Sequence, residues 1–216
     1  MNSLLISSLI LLFSSFLCSN EQNQTDFKYF EGTVVYETEF INKTNKYDSV
    51  TLAVIVGSST TLFSKGGNFL TIIENGITTN LLYRKDENKL YREKFTSDSV
   101  YWTRCDQPGQ KIMKFSITPK VENILGIDCD ELKVYYENKT VSYYYNSDTL
   151  KINPNWHKNF TYYNEDFYSQ KMKSISLKTK IDYEDFVFIS TAVRFSYQNL
   201  DNKIFEIPKK PLVEDQ

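Results

Sequence analysis

Histidine is the residue that most often carries acid–base or metal chemistry, and this sequence contains one, His157. It stands in the segment Asn155-Trp156-His157-Lys158, which is typical of a polar surface loop. The sequence contains no H-E-x-x-H or G-x-S-x-G pattern, so neither a zinc hydrolase nor a serine hydrolase is indicated. No G-x-G-x-x-G or P-loop pattern for binding phosphate occurs either.

Paired carboxylates are the other route to catalysis, because glycosidases use two acids and need no histidine. The candidate pairs are Asp128 with Asp130, Asp182 with Glu184, and Glu165 with Asp166. A chain with 27 Asp and Glu residues contains such pairs by chance. We therefore expect no catalytic residue, no metal site and no cofactor, and we predict a protein that is not an enzyme.

The three cysteines bear on the compartment and on covalent crosslinks. Cys18 lies near the N-terminus, which leaves Cys105 and Cys129 in the main body of the chain. In an oxidising compartment two such cysteines often pair, so a Cys105–Cys129 disulfide is expected, with two buried free thiols as the alternative. Two cysteines alone cannot form a structural zinc site, which takes four ligands.

The first 20 residues contain no charged side chain, and Leu4 to Leu17 is a nearly continuous apolar run. A membrane span needs about 20 apolar residues, so a secretory signal peptide at 1–19 is favoured over an anchor, with a retained N-terminal helix as the alternative. A polar tether follows at 20–29. Cys18 is either removed by cleavage after Ser19 or lipidated as the first residue of a bacterial lipoprotein. Both outcomes predict export to the periplasm, the outer membrane or the cell surface.

Composition sets the class of the remaining chain. Lys and Arg number 25 against 27 acids, a net charge of -2 that argues against binding to nucleic acid. Aromatic residues make up 15% of the chain, while Gly and Pro number only 7 and 5, which is typical of β-sheet. One domain at 30–210 with a polar tail at 211–216 is expected.

Short strands separated by turn residues predict the architecture. Thr33–Phe40 alternates with period two, Asn75-Gly76 is a strong hairpin signal, and Asn153-Pro154 predicts one helical turn. Ser49–Val56 and the alternating segment Tyr168–Lys178 are both predicted as strands. About 10–12 strands at this spacing indicate a mainly β fold, either a sandwich or a barrel.

Aromatic density is the remaining lead on a ligand. On a closed sheet such side chains fill the core, whereas on an open, curved sheet some of them line a cavity for apolar molecules. The candidate cavity-lining residues are Tyr36, Phe40, Tyr143, Tyr145, Phe186 and Phe188.

Three motifs in order carry a family resemblance: the opening F-x-G-x-ϕ-x-Y of residues 30–36, the I-x-G-ϕ-x-C element ending at Cys129, and the closing segment of residues 200–208. In these the chain resembles secreted bacterial domain-of-unknown-function proteins akin to the GLPGLI family, although the GLPGLI signature itself is absent. The resemblance implies the LolA-like half-barrel: a single antiparallel, incomplete barrel around a short helical lid, with a concave apolar face for acyl chains or an apolar peptide. It further implies that Gly126 takes a turn conformation and that Phe205 plugs the end of the barrel.

Two functions are consistent with these observations. The first is a non-enzymatic exported envelope protein that binds a lipid, lipoprotein or other apolar ligand in a half-barrel cavity, with peripheral membrane association. The second is a structural or interaction module of the cell envelope with a filled core and no ligand.

Overall fold

The computed structural model describes residues 28–44 and 46–215. Twelve strands dominate this part of the chain, and two α-helices and two 3₁₀ turns accompany them. The helices are α1 (Ser49–Val56) and α2 (Glu165–Met172), and the 3₁₀ turns span Pro154–His157 and Asn202–Phe205. The strands are β1 (Gly32–Asn42), β2 (Ser59–Lys65), β3 (Asn68–Glu74), β4 (Thr78–Arg84), β5 (Lys89–Lys94), β6 (Val100–Arg104), β7 (Lys114–Ile124), β8 (Ile127–Tyr135), β9 (Lys139–Tyr145), β10 (Lys178–Tyr183), β11 (Phe186–Tyr197) and β12 (Leu212–Glu214).

All twelve strands belong to one sheet with the order β12-β6-β5-β4-β3-β2-β1-β11-β10-β9-β8-β7. Every neighbouring pair is antiparallel except β12 with β6, which is parallel. The two edge strands, β12 and β7, do not pair with each other, so the sheet stays open. The prediction of a mainly β, incomplete barrel of about 10–12 strands with a short helical lid is confirmed.

Helix α1 replaces the strand that we predicted over Ser49–Val56. The segment is rich in β-branched residues, which favour strands, but it has helix signals at both ends. The Asp48 carboxylate accepts hydrogen bonds from the backbone N–H groups of Val50 and Thr51. Gly57 ends the helix at φ +89°, where a Cβ would lie 2.4 Å from the Ile73 side chain.

Helix α2 occupies the first half of the segment Tyr168–Lys178, which we had predicted as a strand. The helix ends at Met172, and Lys173 follows in the left-handed region at φ +55°. The apparent alternation therefore spans a helix end, a turn and the start of β10 at Lys178. The helical turn predicted after Asn153 is present, and the Asn153 side chain accepts a hydrogen bond from the backbone N–H of Asn155.

The two faces of the sheet are covered by different parts of the chain. We call the face that carries Tyr36, Tyr143 and Ala192 the inner face, and α2 and the Pro154–His157 turn pack on it. The outer face of β4–β6 is covered by the C-terminal segment. Phe205 is buried there against Tyr91 and neighbouring residues, so it does not plug the barrel end as the resemblance implied.

The β7–β8 turn and the C-terminal segment can be compared with what the sequence predicts. Gly126 takes φ +80° in the β7–β8 turn, in agreement with its expected turn conformation. At the other end of the chain, Leu212–Glu214 pairs with Val100–Trp102, so the segment expected to be a polar tail adds a strand to the sheet.

The predicted Cys105–Cys129 disulfide is absent from the structure, in which both residues are buried free thiols. Cys105 packs against Tyr83 and Phe160, whereas Cys129 belongs to a separate cluster around Val34. Each thiol fills space in its own core cluster, which is the alternative considered above. The predicted signal peptide, Cys18 and most of the predicted tether lie outside the described residues. In residues 28–44 and 46–215, no helix combines the length and the apolar character that crossing a membrane requires.

Candidate functional site

An apolar cavity of about 200 Å³ lies between the inner face of the sheet and the helical segments that cover it. We call it the lid cavity. Its walls come from β1, β2, β3 and β9 on one side, and from α2, the Pro154–His157 turn and the segment before β10 on the other. The lining residues are Tyr36, Leu62, Ser64, Phe69, Tyr143, Ile152, Trp156, His157, Glu165, Tyr168, Met172, Ser174, Ile175 and Ser176.

Helix α2 presents one face to the lid cavity. Glu165, Tyr168 and Met172 are spaced i, i+3 and i+7, which places them on the same side of a helix. Tyr168 and Met172 are buried, and Glu165 stands in the first helical turn. On the opposite wall, the hydroxyl of Tyr36 donates a hydrogen bond to the carbonyl of Ser176, at 2.9 Å. This bond ties the sheet to the segment that follows α2.

The polar part of the lid cavity centres on His157, which is buried rather than placed in a surface loop. Its Nε2 lies 3.1 Å from the carbonyl oxygen of Gly67, which only accepts, so Nε2 carries a proton. When the ring is neutral, Nδ1 accepts from the hydroxyl of Ser169 at 2.9 Å. The Ser169 hydroxyl also lies within hydrogen-bonding distance of Glu165, with its Oγ 3.4 Å from Oε1.

In the part of the chain that the structure describes, Glu165 is the one acidic residue that lines the lid cavity. Burial raises the pKa of its carboxyl group, while nearby His157 and the hydrogen bond from Ser169 lower it by less. Burial likewise raises the pKa of Tyr36. The apolar lining therefore disfavours the ionised forms of Glu165 and Tyr36.

The grouping of Ser169, His157 and Glu165 does not expose a nucleophile. Ser169 is fully buried, and its hydroxyl lies between the His157 ring and the Glu165 carboxylate rather than in the cavity wall. A substrate in the lid cavity would meet His157 and Glu165 but not the serine oxygen. Within residues 28–44 and 46–215, no three His, Cys, Asp or Glu side chains are grouped closely enough to hold a metal ion.

A second cavity of about 310 Å³ adjoins the first, and we call it the tyrosine cavity. Its lining residues are Gln110, Tyr136, Lys139, Val141, Tyr143, Tyr162, Tyr163, Asn164, Tyr168 and Ile181. Tyr143 and Tyr168 line both cavities, and their ring centroids are 4.5 Å apart. The hydroxyls of Tyr136 and Tyr168 are hydrogen-bonded to each other. The side chains of Tyr143 and Tyr168 form the partition between the lid cavity and the tyrosine cavity.

The six candidate cavity residues from the sequence fall into three places. Tyr36 and Tyr143 line the lid cavity. Tyr145 is buried in the core cluster with Leu132 and Met172 and lines neither of the two cavities. The remaining three, Phe40, Phe186 and Phe188, lie half-buried near the ends of β1 and β11, where the rings of Phe40 and Phe188 are 5.6 Å apart.

Several residues of the site were missed by sequence reasoning. On the sequence alone, His157 is placed in a surface loop, Glu165 is considered only as part of a carboxylate pair with Asp166, and Met172 is placed on a strand. The Asn153-Pro154 signal does locate the turn that holds His157, but nothing local indicates that the sheet covers it. An i, i+3, i+7 comparison over residues 165–172 is the signal that would have placed Glu165 and Met172 on one helix face.

No family model matches this chain, and no curated protein matches it. Several solved structures do. Two structures of PNGF-II match 86% of this chain at 14% identity, with TM-scores of 0.47 and 0.48. The present chain spans 31% of the PNGF-II chain.

Two other matched structures are covered over most of their own length. A LolA superfamily protein from Nitrosomonas europaea is matched over 84% of this chain and 92% of that one, at 14% identity and a TM-score of 0.38. The lipoprotein LppX from Mycobacterium tuberculosis is matched over 79% of this chain and 90% of that one, at 8% identity and a TM-score of 0.31. These matches do not confirm the narrower resemblance to the GLPGLI family. The structural neighbours of this open half-barrel thus include a LolA superfamily protein.

Proposed function

We propose that this protein is a non-enzymatic, exported binding protein that holds a lipid, a lipoprotein acyl chain or another apolar molecule in the lid cavity. The observation that carries the proposal is that the inner wall of the half-barrel is not filled by side chains. About 200 Å³ stays open between the sheet and α2, and the lining is mostly apolar and aromatic. A filled core would have supported the structural module instead.

Cavity size favours a ligand that uses both spaces. Ligand pockets are commonly about 300–1,000 Å³. The lid cavity falls below that range, while the lid cavity and the tyrosine cavity together fall within it. A ligand longer than the lid cavity would therefore displace the Tyr143–Tyr168 partition and extend into the second space.

The direct test is native mass spectrometry and organic extraction of the purified protein, followed by displacement of a neutral solvatochromic dye with apolar competitors. A bound apolar species, or a dye signal that a competitor removes, is the expected result. Absence of both would leave a ligand-free structural or interaction module as the better description.

A matched pair of variants locates the binding. Ser64 lines the lid cavity, so Ser64→Leu fills part of it and should weaken dye binding. Thr61 stands on the same strand with its side chain on the opposite face, so Thr61→Leu adds the same kind of bulk outside the cavity. Equal binding by both variants, with both folded as judged by circular dichroism, would place the dye elsewhere.

Export is the second part of the proposal. It is supported by the uncharged, apolar start of the chain and by the polar residues that follow it. Cell fractionation gives the compartment, and intact mass of the mature protein distinguishes cleavage after Ser19 from lipidation at Cys18. A mature protein that begins at Met1 would contradict export through this signal.

Peripheral membrane association is supported by an apolar surface at one end of the molecule. Val50, Val54 and Ile55 of α1 are exposed, and so is Phe95 after β5. The carbonyl of Val54 accepts a hydrogen bond from Ile77 N–H, which joins α1 to the start of β4. Co-sedimentation with lipid vesicles should fall in a Val54→Ser, Phe95→Ser double variant, and unchanged sedimentation would argue against this surface.

A further inference from the structure

Lys139 lines the tyrosine cavity without a counter-ion. It begins β9 and shares the inner face with Val141 and Tyr143. Its ammonium group lies over the rings of Tyr136 and Tyr183, at 5.3 and 5.6 Å from their centroids. Among the described residues, no carboxylate lies within 4.0 Å of the Lys139 ammonium.

The surroundings of Lys139 do not neutralise it. Within residues 28–44 and 46–215, the lining of the tyrosine cavity contains no Asp or Glu, and Lys139 is its only charged residue. Burial raises the pKa of Tyr143, Tyr163 and Tyr168, so these phenols stay neutral hydroxyls at neutral pH and cannot serve as counter-ions. Burial also lowers the pKa of Lys139, as expected for a cation that has lost water without gaining an anion.

The lid cavity has the opposite electrostatic character. Among the described residues its only carboxylate is Glu165, and when that group is ionised it repels an anion placed beside it. An amphiphile with an anionic headgroup is therefore excluded from the lid cavity by its head but not by its tail. Tyr143 and Tyr168 line both cavities. A ligand with its headgroup in the tyrosine cavity and its chain in the lid cavity would therefore pass between these two side chains.

We propose that the ligand of this half-barrel is a single-chain anionic amphiphile, with its carboxylate or phosphate headgroup on Lys139 and its apolar chain in the lid cavity. This inference rests on the proposed function and specifies its ligand class. The headgroup supplies the anion that Lys139 lacks, through a charge-assisted hydrogen bond in a partly buried setting. The lid cavity of about 200 Å³ equals roughly seven water volumes, which suits one narrow chain rather than several.

The experiment measures the affinity of four probes that share a twelve-carbon chain: dodecanoate, dodecyl phosphate, dodecanol and dodecylamine. Displacement of a neutral dye is followed at pH 7.5 below the micelle concentration of each probe. The two anions should bind the wild-type protein more tightly than dodecanol. Their relative affinities separate a carboxylate from a phosphate headgroup, and inorganic phosphate alone should not displace the dye.

Variants connect the preference to Lys139. Lys139→Gln should weaken the binding of dodecanoate and dodecyl phosphate by about tenfold or more, because losing a hydrogen bond to a charged group commonly lowers affinity by about that factor. The affinity for dodecanol should stay unchanged. Lys139→Arg keeps the charge and should restore most of the affinity. Lys133 lies on the neighbouring strand with its side chain on the outer face, so Lys133→Gln is the matched control and should behave as wild type.

The outcomes separate this inference from the proposed function. If no probe binds the wild-type protein, the proposed function fails. If dodecanol binds as tightly as the anions, and Lys139→Gln binds all probes as wild type does, the headgroup assignment is overturned while apolar binding stands. Tighter binding of dodecylamine than of the anions also overturns it, because it would place the headgroup at Glu165. Displacement by inorganic phosphate alone would indicate a site for the free anion and would overturn the amphiphile.

Discussion

The reactivity of the two thiols offers a quantitative test of the core. Cys105 has no exposed surface, and burial, with a smaller contribution from the charge of Asp106, raises its pKa from 9.0 to about 12. A rise of three units lowers the thiolate fraction about a thousandfold at pH 8. A more basic thiolate is a better nucleophile, with a Brønsted slope of about 0.4–0.5. The net slowing from the pKa alone is therefore about 30–60-fold, and steric exclusion of the reagent adds to it.

The assay is alkylation with iodoacetamide at pH 8, without reductant, read by peptide mass spectrometry at each cysteine. Ser147→Cys supplies an exposed thiol in a turn as the internal rate standard. In the native protein Cys105 should react at least about 30-fold more slowly than this standard. Cys129, whose pKa burial also raises, should be slow as well. In denaturant both should be alkylated completely.

Two results would refute this reasoning. Alkylation of Cys105 in the native protein at the rate of the Ser147→Cys standard would mean that the thiol is not buried as the structure has it. Failure of both Cys105 and Cys129 to react in denaturant until a reductant is added would mean that they are disulfide-bonded in the protein.

Three further changes test the packing and electrostatics of the molecule. Phe160 is buried and stacks on Tyr83, with 4.5 Å between the ring centroids. Phe160→Ala should lower the free energy of unfolding, measured by urea titration, by about 3–5 kcal/mol. A loss below about 1 kcal/mol would contradict the core position of Phe160. Glu165→Gln should raise the melting temperature at pH 7.5 but not at pH 3.5. Because burial raises the pKa of Glu165, the folded chain holds the carboxyl proton more tightly than the unfolded chain does. The contribution of Glu165 to stability therefore falls as pH rises from the ordinary carboxyl pKa through the raised one. An equal change in melting temperature at both pH values would contradict a raised pKa. Gly32→Ala should destabilise the fold far more than Gly126→Ala, because a Cβ at Gly32 would lie 2.0 Å from the backbone oxygen of Ser196, whereas a Cβ at Gly126 would have only the strain of its positive φ and no atom within 4 Å. Similar melting temperatures for the two variants would contradict the close approach of β1 and β11 at Gly32.

Helix α1 shows how local propensity misled the sequence analysis. Ser49–Val56 has the composition of a strand, and composition dominated the prediction. The signals for a helix, Asp48 before the segment and Gly57 after it, are present in the sequence but are outweighed by its β-rich composition. Burial of Leu52 and the hydrogen bond from Ile77 to Val54 then stabilise the helix from outside the segment. Tertiary contacts of this kind commonly override propensity over eight residues.

Helix α2 was missed for a different reason. The alternation over Tyr168–Lys178 crosses the boundary between a helix and a strand, and an eight-residue helix has too few turns to show its own period clearly. The position of Glu165 and Met172 on the lid follows from that helix. The sequence therefore pointed to the sheet side of the lid cavity, where Tyr36 and Tyr143 lie, but not to its helical side.

The sequence by itself determined the strand-rich character of this chain and the position of its turns. Signals such as Asn75-Gly76 act within a few residues, so they are legible without knowledge of the fold. Only the tertiary structure decided which aromatic side chains border empty space and which fill the core. Tyr36 meets Ser176 from 140 positions away, and Tyr145 is packed on all sides while Tyr143, two residues before it, lines two cavities. An unfilled volume is defined by distant segments meeting imperfectly, and no local pattern of residues encodes that mismatch.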